Sequence, residues 1–127
     1  MDFSDFAGQT YHSCYDSFSV GPELDGYRLS LSGYVVNSTG GDSLTFGQNW
    51  NLNNMKFSTY DKCNDRSVIN NCAILHKGGW WWNKCGLAMP TSPYIAGGKV
   101  KWEGLNWYYA KMNAYSYKTM KFTMNLK

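Results

Sequence analysis

Oxygen-bearing side chains crowd one short stretch of this sequence: in "YDKCND", Asp61, Asn64 and Asp65 fall within five positions. Carboxylate and amide oxygens in a turn suit calcium, which takes six to eight oxygen ligands in flexible geometry. A solvated Asx turn uses the same residues. Downstream, "GGWWWNKC" sets Trp80, Trp81 and Trp82 between a glycine pair and Cys85. Three adjacent indoles supply a packed core, a stacking face for a sugar or base, or an interface. The four cysteines are Cys14, Cys63, Cys72 and Cys85, and none forms the C-x-x-C pair of a tetrahedral zinc site. An even count in a small aromatic chain favours disulfides and an oxidising compartment. "NST" at Asn37 is a glycosylation sequon, in keeping with that compartment.

Other chemistries find no support. The histidines, His12 and His76, have no Ser/Asp arrangement beside them, and no G-x-S-x-G elbow occurs. "GGKVKW" lacks the ending of a phosphate loop, and among nine acids no glycosidase-like pair stands out. The expectation is therefore a chain that is not an enzyme. A net charge of +3, with lysines spread over residues 56–127, leaves no footprint for nucleic acid. No stretch reaches the roughly 18 to 20 apolar residues that cross a bilayer, so no membrane insertion is expected. The opening "MDFSDFAGQTYHS" has neither the basic nor the apolar region of a signal peptide. A secreted composition without an export signal predicts a piece of a longer secreted protein, with Met1 added for expression.

What must position these groups is one domain: 127 residues, 43% hydrophobic and 17% aromatic, suffice for a single core. Alternation is the main signal. "TYHSCYDSFSV" and "YRLSLSGY" read as strands joined by the turn "GPELDG", a hairpin over residues 10–35. In the second strand Tyr27, Leu29 and Leu31 are expected inside. "MKFTMNL" predicts a closing strand with Met120, Phe122, Met124 and Leu126 on one face. From Gly40 to Gly104 the chain is rich in Gly, Asn, Asp and Ser. "GGDSLTF" predicts one short helix there, capped by Asp42 or Ser43. So long an irregular segment points to a functional or stapled region.

Five segments in order, "MKFSTYDKCND", "NNCA", "GGWWWNKC", "GLNWYYAK" and "TMKFTM", together resemble the fibrinogen-related domain. "YDSFSVGPELDGYRLSLSGY" and "GGDSLTF" match that family's middle region, so the resemblance spans essentially all 127 residues. It implies an α+β fold: a small, mainly antiparallel sheet, short helices, and a large loop-rich binding subdomain stapled by a disulfide. Residues 1–127 would form one truncated domain, comprising the central sheet region and the C-terminal binding subdomain without the N-terminal subdomain.

The resemblance also implies site residues. Cys72 pairs with Cys85, and the Lys84–Cys85 peptide is cis, turning backbone amides toward an acetylated ligand as in ficolins and tachylectins. Trp80 and Trp81 match core positions, while Trp82 lines the surface. The ligand site then comprises His76, Trp82, Lys84, Cys85, Tyr94 and Trp102. Where the family has a histidine after the second cysteine, Gly86 stands here and opens the pocket floor. The calcium ligands would be Asp61 and Asp65, but Cys63 occupies the place of a ligand acid, which predicts weak or absent calcium binding. By elimination, Cys14 pairs with Cys63 and replaces the metal as staple.

These expectations add up to a secreted, non-catalytic lectin of innate immunity. It would recognise glycans or acetylated groups on microbial or host surfaces and be capable of oligomerisation. The rival expectation is a protein–protein module of the fibrinogen or angiopoietin-like kind that binds a peptide or receptor. Between Lys77 and Lys101 there is no Asp or Glu, which counts against a cationic peptide as ligand.

Overall fold

Phe3 sits at the centre of a three-stranded antiparallel sheet ordered β2–β1–β7, with β1 Asp2–Ser4, β2 Thr10–His12 and β7 Thr119–Lys121. It faces Tyr11 on one side and Met120 on the other, so the first and last strands of the chain are neighbours. The computed structural model describes residues 1–126. A second sheet is the hairpin of β3 Tyr15–Val20 and β4 Leu29–Tyr34. A third joins β5 Ala88–Met89 to β6 Asn106–Trp107. Among the described residues the other regular elements are two single-turn α-helices, α1 Cys72–Leu75 and α2 Tyr108–Lys111, and a 3-10 turn at Glu23–Asp25 within the hairpin loop.

The core is aromatic. Phe3 lies 5.4 Å from Tyr11 in a stacked pair, 4.9 Å from Tyr117 edge-on and 5.3 Å from Trp107. Leu29, Leu31, Leu52, Met89, Trp80 and Trp82 extend the same cluster beneath the loops. Offset and edge-on rings of this kind gain roughly 0.5–1.5 kcal/mol per pair beyond their buried area.

The expected hairpin forms over Tyr15–Tyr34, with Leu29 and Leu31 buried. Its first strand is broken at Ser13 and Cys14, however: Thr10–His12 pairs with β1 in the other sheet. Tyr27 is not buried: its φ of +54° puts a left-handed residue just before the strand and turns the ring outward. "GGDSLTF" does not become a helix. Asp42 Oδ1 accepts the Leu44 and Thr45 N–H groups at 3.1 and 2.8 Å and the Tyr15 hydroxyl at 2.8 Å, fixing a bend instead. The residue chosen as a cap does cap, but the next backbone bond runs from Leu52 N–H back to Leu44. The closing strand is also shorter than its pattern. β1 offers only three partners, so pairing stops at Lys121, and Phe122, Met124 and Leu126 are exposed.

One buried carboxylate ties the sheet to α2. Asp5 accepts the N–H groups of Ala7 and Gln9 at 2.9 and 2.8 Å and pairs with Lys111 Nζ at 2.9 Å. That ammonium also lies over the Tyr115 ring, 4.7 Å from its centre. The Lys111 hydrogen bond is the chief cause holding the Asp5 pKa below its ordinary value. A depressed carboxylate stabilises the fold above its unfolded pKa and ceases to as pH falls through the folded value. Acid titration followed by tryptophan fluorescence should therefore show a loss of stability below about pH 4. In Asp5→Asn that loss should be shallower, from a lower starting stability at pH 7. Parallel acid limbs in the two proteins would dismiss Asp5 as the responsible group.

Candidate functional site

The loops that surround α1 are held by side chains. Asn71 Oδ1 caps the helix by accepting the Ile74 N–H at 3.2 Å. Asp65 supports it from outside: Oδ2 accepts the Cys72 N–H and Oδ1 the Ser67 N–H, both at 2.9 Å. The Cys72–Cys85 disulfide, with a Cα separation of 5.2 Å, then ties the start of α1 to the turn after the tryptophans. Beside it, Asn83 Nδ2 donates to the carbonyls of Asn51 at 2.7 Å and Gln48 at 3.3 Å, anchoring a third loop.

At the other end of α1 a cleft of about 610 Å³ opens. Its walls are Trp50, Leu75, Leu87, Met89, Trp102, Tyr108 and Tyr109, and His76, Cys85 and Gly86 complete it. Trp102 stacks on Tyr108, ring centres 5.9 Å apart and planes 10° from parallel. His76 fixes this wall, because its Nδ1–H donates to the Trp102 carbonyl at 3.0 Å. A carbonyl only accepts, so the neutral ring carries its proton on Nδ1 and offers Nε2 as an acceptor. Burial lowers the His76 pKa, and the bond to Trp102 opposes this only in part. No carboxylate lines the cleft.

Of the six ligand residues expected from the sequence, His76, Cys85 and Trp102 meet at this cleft. The other three do not. Trp82 is completely buried, stacked beneath His76 at 5.0 Å, with its indole N–H donated to the Gly78 carbonyl. In an extended segment residues two apart share a face, so Trp82 joins Trp80 in the core. Trp81 instead turns partly outward and donates to the Tyr27 carbonyl at 2.8 Å. Lys84 is exposed, and Tyr94 is exposed beside Phe6 at 6.4 Å. Trp50, Tyr108 and Tyr109 escaped the sequence reading. A lone tryptophan in polar "GQNWNLNN" and the aromatic run "NWYY" were the available signals.

Three further expectations are corrected. No cis peptide occurs among the described residues; Cys85 adopts a φ of +55° instead. The Lys84 N–H donates to the Asn49 carbonyl and the Cys85 N–H faces Cys72 Sγ at 3.1 Å, so neither is turned toward the cleft as a free donor. Cys14 and Cys63 are not paired: both are exposed free thiols. Elimination counts cysteines without regard to where the chain carries them. Cys14 lies between β2 and β3, held by the Ser38 hydroxyl, while the Cys63 thiol leans on Asp65 at 3.3 Å.

The two carboxylates expected to hold calcium are engaged within the protein. Asp61 Oδ1 accepts the Thr59 hydroxyl at 2.7 Å, and both Asp65 oxygens are taken by the protein's own N–H groups. Among the described residues no three His, Cys, Asp or Glu side chains converge on one point. The Asp65 carboxylate thus supports α1 directly. Asp65→Ala should lower stability by about 1–3 kcal/mol, the range for removing a hydrogen-bonded charged acceptor, equally with calcium or with a chelator. A calcium-dependent rise in the wild-type melting temperature that disappears in Asp65→Ala would show that Asp65 does bind the ion.

The whole chain, residues 1–127, matches the family model described as the fibrinogen beta and gamma chains, C-terminal globular domain. Ryncolin-4 from Cerberus rynchops is 37% identical over 119 residues, 93% of this chain and 32% of that protein. The fibrinogen-like globe domain of human ANGPTL6 superposes with a TM-score of 0.81 at 33% identity, covering 92% of this chain and 50% of that one. A lamprey fibrin D-dimer, complexed with the peptide Gly-His-Arg-Pro-amide, gives 0.80 at 28% identity and coverages of 92% and 41%. The chain thus spans half or less of the length of these relatives. Motif order, loop-rich fold and disulfide agree with the match: this chain belongs to the fibrinogen C-terminal domain family.

Proposed function

We propose that this chain is a non-catalytic recognition module of a secreted protein, binding carbohydrates or acetylated groups on microbial surfaces, and that it represents the C-terminal part of the family's domain. Membership of a family whose domains are generally recognition modules supports this class. The observation that carries the ligand assignment is the composition of the cleft: aromatic and aliphatic walls, no carboxylate, and one polar edge at His76. An acetamido group suits this arrangement. Its methyl is taken from water by the apolar walls, its N–H reaches an acceptor at His76 Nε2, and Trp102 and Trp50 offer faces to sugar C–H surfaces. Stacked rings with few rotatable bonds lose little entropy on binding.

A second reading, binding of a protein partner, is favoured by a different observation. Ile74 and Leu75 are 58% and 48% exposed beside the cleft, and Trp50 and Trp102 are each 41% exposed. Apolar and aromatic side chains at a rim are what protein interfaces bury.

Calorimetric titration with N-acetylglucosamine-bearing and unacetylated oligosaccharides tests the first reading. Trp102→Ala should weaken binding of the acetylated sugar at least about tenfold, roughly the 1.4 kcal/mol of one lost stacking face, with the fold intact. Trp82→Ala, which hollows the core, should cost about 3–5 kcal/mol of stability. Unchanged affinity in folded Trp102→Ala would end the assignment of this cleft. Binding of Gly-His-Arg-Pro-amide in preference to sugars would move it to the second reading.

The same titration against pH has a definite sign. His76 has a folded pKa below its ordinary value of 6.5, so it stays neutral at pH 7 and begins to protonate only as pH falls under 6.5. Protonation converts Nε2 from acceptor to donor and charges a buried ring. Affinity should hold from pH 8 to about pH 6.5 and fall on further acidification, together with some stability. In His76→Gln this pH dependence should vanish, and its persistence would exonerate His76.

A further inference from the structure

A second, smaller cleft of about 310 Å³ lies beside the disulfide-tied turn, lined by Gln48, Asn51, Asn53, Asn54, Arg66 and Asn83 with Gly47. It shares no residue with the aromatic cleft and has the opposite chemistry: side-chain amides and one guanidinium, with no acid and no aromatic ring.

The amide orientations follow from their bonds. Asn83 gives both hydrogens of its NH₂ group to carbonyls, Asn51 at 2.7 Å and Gln48 at 3.3 Å, so its oxygen is the free end. That oxygen is buried without a partner in a residue only 2% exposed. An unpaired buried acceptor is costly, and native structures rarely keep one unless something pairs with it. Asn51 Oδ1 accepts the Asn53 N–H at 2.9 Å and Asn53 Oδ1 the Leu31 N–H at 2.8 Å, which leaves both NH₂ groups as donors. Arg66 is set by its backbone N–H, donated to the Asn83 carbonyl at 2.9 Å. Its guanidinium forms none of the ion pairs found among the described residues. The cleft therefore presents a permanent positive charge and two amide donors, with one unsatisfied acceptor buried in its wall.

We propose that this polar cleft is a binding site for an anionic, hydroxyl-bearing ligand: a sugar that carries a carboxylate or sulfate group. The Arg66 fork takes the oxyanion, the geometry in which guanidinium outperforms ammonium. The Asn51 and Asn53 NH₂ groups donate to ring or hydroxyl oxygens of the sugar. Asn83 and Cys85 stand two positions apart on one turn, so that turn contributes to the lining of both clefts.

Nitrogen-15 NMR titration of the whole chain with glucuronate, glucose 6-sulfate and glucose tests this, reading the side-chain amide signals of Asn51, Asn53 and Asn83. Either or both anionic sugars should give saturable shifts there, weakened by added salt, and glucose should bind at least tenfold more weakly. The pattern of the two anions says whether carboxylate, sulfate or both are accepted. Arg66→Gln, at an exposed side chain, should also lose at least tenfold; Asn83 is left intact because its struts hold the loops. The proposal is overturned if neither anion shifts these signals, if glucose matches them, if Arg66→Gln binds equally, or if the shifts appear only around Trp50 and Trp102.

Discussion

Every buried backbone N–H and C=O must find a partner, and a chain with this little helix and strand cannot meet that demand by regular structure. Here short polar side chains act in place of secondary structure. Asp5 closes the first turn, Asp42 fixes the bend that the sequence signalled as a helix, and Asp65 holds the start of α1. Asn106 sits at the end of the series: its Nδ2 lies within hydrogen-bond distance of the carbonyls of Lys101, Ala114 and Tyr115, at 3.0–3.2 Å. The abundance of Asn, Asp and Ser between Gly40 and Gly104 is thus a structural device. The disulfide acts on a chain whose loops are already braced locally, and its role is to join two of them.

This explains which parts of the fold could be read in the sequence. Strands announced themselves by alternation, and Leu29 and Leu31 lie where that pattern puts them. The pattern misled where pairing ran out, at Phe122 and beyond, where a left-handed residue interrupted it, at Tyr27, and where the chain changed sheets between His12 and Tyr15. Asp42 shows a deeper ambiguity, since the residue that caps a helix also caps a bend, and only the next backbone bond distinguishes them. The family and its fold were legible because five motifs occur in order. The Cys72–Cys85 pairing came with them.

The site was half legible. His76, Cys85 and Trp102 converge although 26 positions separate the first from the last, and this came through the resemblance. Trp50, Tyr108 and Tyr109 come from loops whose approach depends on tertiary packing, through Tyr108 N–H to the Leu87 carbonyl and Tyr109 N–H to Ser43 Oγ. No local pattern encodes such a meeting. The polar cleft was invisible for the same reason: asparagines scattered over residues 51–83 read as turn formers until their bonded and free ends are told apart.

The pairing of β1 with β7 bears on mechanics. In their antiparallel register Asp2 lies opposite Lys121 and Ser4 opposite Thr119, so the chain enters and leaves this ladder at the same end. Tension applied between residues 1 and 126 would open the pairs one after another, in the manner of a zipper, instead of loading the ladder in shear. The first pair to part is also the one furthest from Asp5 and Lys111. Behind it lies the aromatic stack around Phe3, so resistance should be weak at first and rise once Phe3 is reached.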